Sequence, residues 1–184
     1  MTSVVRRPPP RRGASARARG AAPPRHWLLK SEPDVFGFDD LLAAPDRTTC
    51  WNGVRNYQAR NYLRDEMRVG DLVLFYHSNA EPAGVAGTAE VVRAAYPDPT
   101  AFDPSDEGYD ARSRPEAPTW LMVDVRAVER FATFVSLEML RAEPALADMV
   151  VLRRGNRLSV TPVTPGEWAA VCALGGLAPR RRRG

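Results

Sequence analysis

The sequence predicts an α+β domain: a small mixed sheet or barrel of about five strands, with short helices set between them. Two observations carry this expectation. Apolar runs of strand length recur between residues 26 and 163. The helical stretches that separate them do not fall in the regular strand–helix–strand order of a doubly wound parallel sheet. The chain has 184 residues, 44% of them hydrophobic. That suits one domain able to bury a core without disulfides or a structural metal. No internal repeat is visible.

Taken in order, His26-Trp27-Leu28-Leu29-Lys30 is a short apolar run closed by Ser31-Glu32-Pro33, the pattern of a buried strand. Phe38 to Ala44 reads as a short helix, with Asp39 and Asp40 near its start and Pro45 past its end. Trp51 to Asn56 is rich in turn formers. Asn56 is placed to cap a helix from Tyr57 to Met67. Ala59, Leu63 and Met67 recur at every fourth position and form its buried stripe, with Arg60, Arg64 and Arg68 one step round. After a turn at Gly70-Asp71, Leu72 to His77 is a strongly apolar strand. Gly84 to Tyr96 is the next, and its Gly84 and Gly87 predict a bend or bulge.

Residues 97–118, rich in Pro and Asp, read as a long loop; such loops in compact domains are usually functional or partly disordered. Trp120 to Phe131 alternates Leu121, Val123 and Val125 with Met122, Asp124 and Arg126, the pattern of a long strand. Short helices follow at Ser136 to Leu140 and Ala145 to Val151. A last strand, Leu158 to Val163, precedes a closing helix, Pro165 to Leu174, with proline at its start.

The charge is unevenly spread. Lys and Arg number 26 and Asp and Glu 22, a net of +4. Residues 1–25 hold seven Arg and no acid, and residues 180–183 are four more. Residues 26–179 keep 15 basic against 22 acidic side chains, a net of −7. The expected organisation is a Pro- and Arg-rich disordered tail over residues 1–25, a folded domain over 26–177 and a basic tail over 178–184. Beside 25 Arg there is a single Lys, Lys30. An Arg-biased genome explains the imbalance. The surviving Lys hints that its position wants an ammonium, because the two cations differ in shape and hydration.

Several classes are excluded. No apolar run approaches the roughly 20 residues of a membrane span. The N-terminus lacks the apolar stretch of a secretory signal, so no membrane partner is expected. Cys50 and Cys172 make no disulfide framework and no CxxC zinc spacing; a cytoplasmic compartment is the expectation. His26 and His77 are the only histidines and have no ligand spacing, so no metal is expected. Phosphate-cradling glycine motifs are absent and no cofactor is expected. Cys50 with either histidine has the residue types of a nucleophilic pair but no local signature; packing is the plainer role.

The densest polar and aromatic cluster is Trp51-Asn52-Gly53-Val54-Arg55-Asn56-Tyr57-Gln58-Ala59-Arg60-Asn61. A capped amphipathic helix accounts for Ala59, Arg60 and Arg64, but poorly for Trp51 with Asn52, Asn56 and Asn61. Asn amides present a donor and an acceptor side by side, as reading a base edge requires. Trp supplies a stacking face. Phe75-Tyr76-His77-Ser78-Asn79 and Lys30-Ser31-Glu32 both end apolar strands on polar groups, which in a small barrel is a usual place for a ligand mouth. Trp120 and Trp168 fit a core better than a ligand site.

These segments together resemble the EVE-domain family of the PUA-like superfamily, of the thymocyte nuclear protein type. The matching stretches are Trp27 to Pro33, Trp51 to Asn61, Gly70-Asp71 with Phe75 to Ser78, Gly84 to Gly87, Trp120, and Arg157 to Val160 with Pro162-Val163. They appear in family order across residues 26–175. The resemblance implies a PUA-like mixed five- to six-stranded β-barrel with short flanking helices and a concave pocket. It also implies a nucleic-acid partner, with a modified cytosine in DNA or a modified RNA base in that pocket. Carried over by position, the candidate set is Trp27, Lys30, Ser31, Trp51, Asn52, Val54, Arg55, Asn56, Tyr76, His77, Ser78, Trp120, Arg157 and Ser159.

The expectation is therefore a monomeric, non-catalytic reader of a flipped base. Trp27, Trp51 and Tyr76 would stack, Asn52, Asn56 and Ser78 would read the edge, and Lys30, Arg55 and Arg157 would hold phosphate. The rival is a small hydrolase with Lys30 as base and Glu32 as its orienter. A third reading is an RNA binder acting mainly through the tails.

Overall fold

The computed structural model describes residues 23–177. Residues 1–22 of the tail expected to be disordered, and the basic tail 178–184, lie outside the described residues. The elements run β1 (His26–Ser31), α1 (Pro33–Phe36), α2 (Phe38–Ala43), β2 (Thr48–Trp51), α3 (Tyr57–Asn61) and a π-helical turn (Tyr62–Glu66). Then come β3 (Leu72–His77), β4 (Gly84–Pro97), β5 (Leu121–Ser136), α4 (Leu137–Ala142), β6 (Val160–Val163) and α5 (Pro165–Leu174). All six strands join one mixed sheet in the order β2-β5-β4-β3-β1-β6. Among the described residues, only β1 and β3 pair in parallel. This is the α+β class and mixed sheet the sequence predicts, as an open ladder consistent with a PUA-like barrel.

The sheet curls. β2 and β3 have two strands between them, which in a flat sheet would separate them by about 14 Å. Yet the Trp51 and Phe75 rings meet edge-on with centroids 5.3 Å apart. That face is therefore concave. Its core holds Trp27, Leu29, Val73 and Phe75 from β1 and β3, with Phe38 and Leu41 of α2 and Ala59 and Leu63 packed on it. Leu28, Leu74 and Tyr76 alternate to the convex face, where they meet Leu140, Leu146, Met149 and Val171. Burial on both faces is why β1 and β3 read as unbroken apolar runs.

The bulge expected near Gly84 and Gly87 is present: the β4–β5 register shifts between Val85 and Gly87. A Cβ on Gly87 would lie 2.6 Å from the Glu129 carbonyl oxygen and from the Phe38 ring, so only bare backbone lets α2 seat there. One strand is added and two expectations are corrected. β2 is a strand, a four-residue edge paired to β5, too short and polar to read as one. The Tyr57–Met67 helix is instead α3 followed by the π turn, closed by Met67 N–H to the Tyr62 carbonyl at 2.9 Å. β5 extends past Phe131 to Ser136 because Val135 and Ser136 pair with Val85 and Gly84.

One carboxylate fastens the start of the parallel pair. Buried Asp71 accepts from Trp27 Nε1 (2.9 Å), from the Arg25 N–H (3.0 Å) and from the Arg68 N–H (2.9 Å). Arg25, at the edge of the tail, is thus tied to the domain, and its guanidinium also reaches Glu66 at 2.8 Å. Asp71→Ala strands these donors. We expect it to lower the unfolding free energy by about 3 kcal/mol or more, read from urea denaturation.

Candidate functional site at the strand ends

Parallel pairing brings the C-terminal ends of β1 and β3 together, with Lys30 opposite Tyr76 and Ser31 opposite His77. Side chains alternate across a sheet. Lys30, Tyr76 and Ser78 therefore face the convex side, and Ser31 and His77 the concave side. The sequence-predicted set divides into two groups.

On the concave side Trp51 is buried to 8% exposure, edge-on to Phe75. Val54 is buried beside it. Between them, Asn52 is exposed and its amide bonds to no other described residue. Gly53 holds φ at 76°, a left-handed conformation that glycine adopts freely. Its N–H donates to the fully buried Asp98 carboxylate at 2.9 Å. Asp98 also accepts from Arg55 (2.8 Å) and from the Thr100 N–H (3.0 Å) and hydroxyl (2.7 Å). Burial would raise the Asp98 pKa, but the bonds from Arg55, Thr100 and the Gly53 N–H outweigh it and hold the carboxyl below its ordinary value. Arg55 further donates through Nε to the Gly108 carbonyl (2.6 Å) and through a terminal nitrogen to the Thr100 hydroxyl (2.8 Å). Its role is to pin residues 98–108 to the Trp51–Asn56 turn. The expected phosphate contact by Arg55 is replaced by this internal one.

Other members of the set are also structural. Trp27 is 1% exposed, with its indole N–H on Asp71, so it offers no stacking face. Asn56 caps α3, its Oδ1 accepting from the Gln58 and Ala59 N–H groups. Its capping is the sequence expectation; edge reading by that oxygen is not available. Trp120 is buried, donates to Asp110 at 2.9 Å and packs at 4.9 Å on Tyr57. The Ser31 hydroxyl donates to the Phe36 carbonyl at 2.6 Å. His77 Nε2 accepts the Phe38 N–H at 3.1 Å, and burial lowers its pKa. The ring is therefore neutral, with its proton on Nδ1.

On the convex side a cleft of about 400 Å³ is lined by Lys30, Tyr76, Ser78, Arg141, Arg153 and Arg154 among others. Burial lowers the pKa of Lys30, whose ammonium bonds to no described residue. Burial raises that of Tyr76, against the opposing field of Arg141. The Ser78 hydroxyl donates to the Ser31 carbonyl at 3.3 Å. The Ser159 carbonyl accepts the Lys30 N–H at 2.9 Å, while Arg157 is exposed. The Lys30–Glu32 pair of the hydrolase reading does not form; Glu32 instead accepts from Asn79 at 2.8 Å. A larger hollow, about 610 Å³, lies by Asp46, Arg47, Arg93, Asp124 and Arg126. None of the predicted residues lines it, and it mixes both signs of charge.

The sequence reading missed Asp98, Thr100, Gly108 and Asp110, because their partners lie up to 53 residues away; the only signal was the length of the 97–118 loop. It also passed over Tyr57, an aromatic 51% exposed, with Arg60 5.1 Å from its ring centre. Among the described residues no three His, Cys, Asp or Glu are grouped to hold a metal, and no helix is long and apolar enough to cross a membrane.

The EVE domain profile matches residues 25–174. The chain belongs to the EVE domain family. Human thymocyte nuclear protein 1 is 43% identical over 166 residues, covering 81% of this chain and 73% of the relative. Among solved structures, a hypothetical protein from Leishmania major superposes with a TM-score of 0.78 at 46% identity, over 84% of this chain and 96% of the other. Human thymocyte nuclear protein 1 (THYN1) in complex with 5-methylcytosine-containing DNA also superposes with a TM-score of 0.78. It is 41% identical, over 84% of this chain and 99% of that one.

The Asp98 pKa sets a pH test. A carboxyl depressed in the folded state stabilises it above the unfolded value of about 3.9, and that stabilisation is lost as pH falls through the folded value. We expect Asp98→Asn to be less stable near pH 7 and to lose less on acidification than the parent chain. Urea unfolding from about pH 7 down to pH 2 checks both.

Proposed function

We propose that this EVE domain binds nucleic acid at a modified base, a modified cytosine in DNA, and does so without turnover. The observation that carries the reading is the human relative in complex with 5-methylcytosine-containing DNA, at 41% identity and a TM-score of 0.78. The concave rim supports it chemically. Trp51 is buried and braced edge-on by Phe75, so the backbone that carries Asn52 starts from a fixed ring. Asn52 keeps an unpaired amide at the surface, able to give and accept one hydrogen bond each along a base edge. The Gly53–Asp98–Arg55 bonds hold that turn in place before a ligand arrives, which limits the ordering cost of binding. The base would be flipped out of its stack, at a cost of a few kcal/mol.

The stretch from 26 to 179 carries a net of −7, which disfavours a phosphate backbone at long range. The Arg-rich tails supply the nonspecific attraction in this reading. It includes the compositional expectations of a monomer in a cytoplasmic compartment, without metal or cofactor.

The test is a binding series at fixed salt with the full chain. It uses DNA oligonucleotides that differ only in one base modification, and RNA of the same sequence. We expect the modified-cytosine DNA to bind most tightly. Asn52→Ala should lose about tenfold on that oligonucleotide and little on the unmodified one, with an unchanged unfolding midpoint because Asn52 is exposed. Equal affinity for every modification would sink the reading, and a preference confined to RNA would move it to RNA.

A further inference from the structure

We propose that the convex cleft holds the phosphate backbone of the same nucleic-acid strand whose base is taken on the concave side. This rests on the binding reading above and assigns the strand's path. Lys30 from β1, Arg141 from α4, and Arg153 and Arg154 from the turn after Leu152 converge on the cleft, and no carboxylate lines it. That is unexpected on composition, since acids outnumber bases 22 to 15 over residues 26–179. Among the described residues, Lys30, Arg141 and Arg154 make no ion pair. Like charges gathered without counter-charge repel, and an anion in the cleft relieves that repulsion.

The donors suit phosphate. Guanidinium forks match its oxygens in pairs, and Asn79 on the same wall keeps a second amide N–H beyond the one it gives to Glu32. The arginine turn is fixed in advance. Gly155 takes φ 77°. Asn156 donates to the Val150 carbonyl at 3.0 Å and accepts the Leu158 N–H at 3.1 Å. Arg153 is steadied by the Asp148 carbonyl at 3.3 Å. Burial that disfavours the Lys30 ammonium points the same way, because a bound anion would offset it.

Position links the two faces. Tyr76 lines the cleft, and its neighbour Phe75 turns to the concave side, where its ring lies 5.3 Å from that of Trp51, next to Asn52; consecutive Cα atoms are only about 3.8 Å apart. A strand crossing the paired ends of β1 and β3 would place its base on one face and adjoining phosphates on the other.

The experiment compares the full chain with the double variant Arg153→Gln/Arg154→Gln. Both side chains are exposed, and the unfolding midpoint verifies the fold. Affinities for modified and unmodified oligonucleotides are measured from about 50 to 200 mM salt. We expect the slope of log K against log salt to become shallower by about 1 to 2. Both oligonucleotides should weaken by the same factor, leaving the preference for the modified one intact. An unchanged slope overturns the cleft assignment. Arg141→Gln, on a different element, repeats the measurement with an expected change of about 1, should the double variant unfold. The outcomes separate the two proposals. A parent chain without base preference, beside a shallower slope in the variant, removes the base reading and keeps the cleft. A clear preference with an unchanged slope does the reverse.

Discussion

The parallel pairing of β1 with β3 is the constraint from which both candidate surfaces follow. Parallel neighbours need a long connection, and here it is residues 32–71, which supply α1, α2, β2 and α3. Those elements cover the concave face of the pair, so the same topology that buries β1 also builds the rim around Trp51. Because the strands run the same way, their polar termini emerge side by side. Alternation then sends neighbouring residues to opposite faces: Ser31 and His77 to one, Lys30 and Tyr76 to the other. Asp71 secures the arrangement at its other end by gathering donors from both flanks of the connection.

The turn from Trp51 to Asn56 is built from residues that favour no single conformation. It is fixed from outside by the 97–118 loop. Asp98 and Arg55 bond to each other and to the backbone on both sides. A buried ion pair is a poor source of net stability, since desolvating the charges offsets much of their attraction. Its contribution here is position: it defines where the exposed amide of Asn52 stands. Asn56 does similar work at the next step, closing the turn against the first N–H groups of α3.

Much of the fold was legible in the chain. β1, β3, β4, β5 and β6 announce themselves by apolar runs or alternation, the bulge by Gly84 and Gly87, and the start of α3 by Asn56. The family was legible too, in the order of its motifs. β2 was not, because an edge strand of four residues buries little and so leaves no pattern. The motifs single out a candidate region in the chain, but not which of its residues face outward. Tryptophan and arginine read alike whether they meet a ligand or the protein, and only partners distant in sequence decide. Trp27 finds Asp71 44 residues on, and Arg55 finds Asp98 43 residues on. The division of the set between two faces follows from parity along β1 and β3, once their register is known.

The solitary lysine gives the convex cleft a chemical address. Lys30 is the only side-chain amine in the sequence, among 25 guanidiniums. Burial lowers its pKa, which enlarges the share present as free, nucleophilic amine. Acyl transfer to side-chain amines, by an enzyme or an amine-selective reagent, therefore has one destination in this chain. Neutralising that nitrogen would alter the electrostatics of the convex cleft while leaving the Asn52 rim, on the other side of the sheet, chemically untouched.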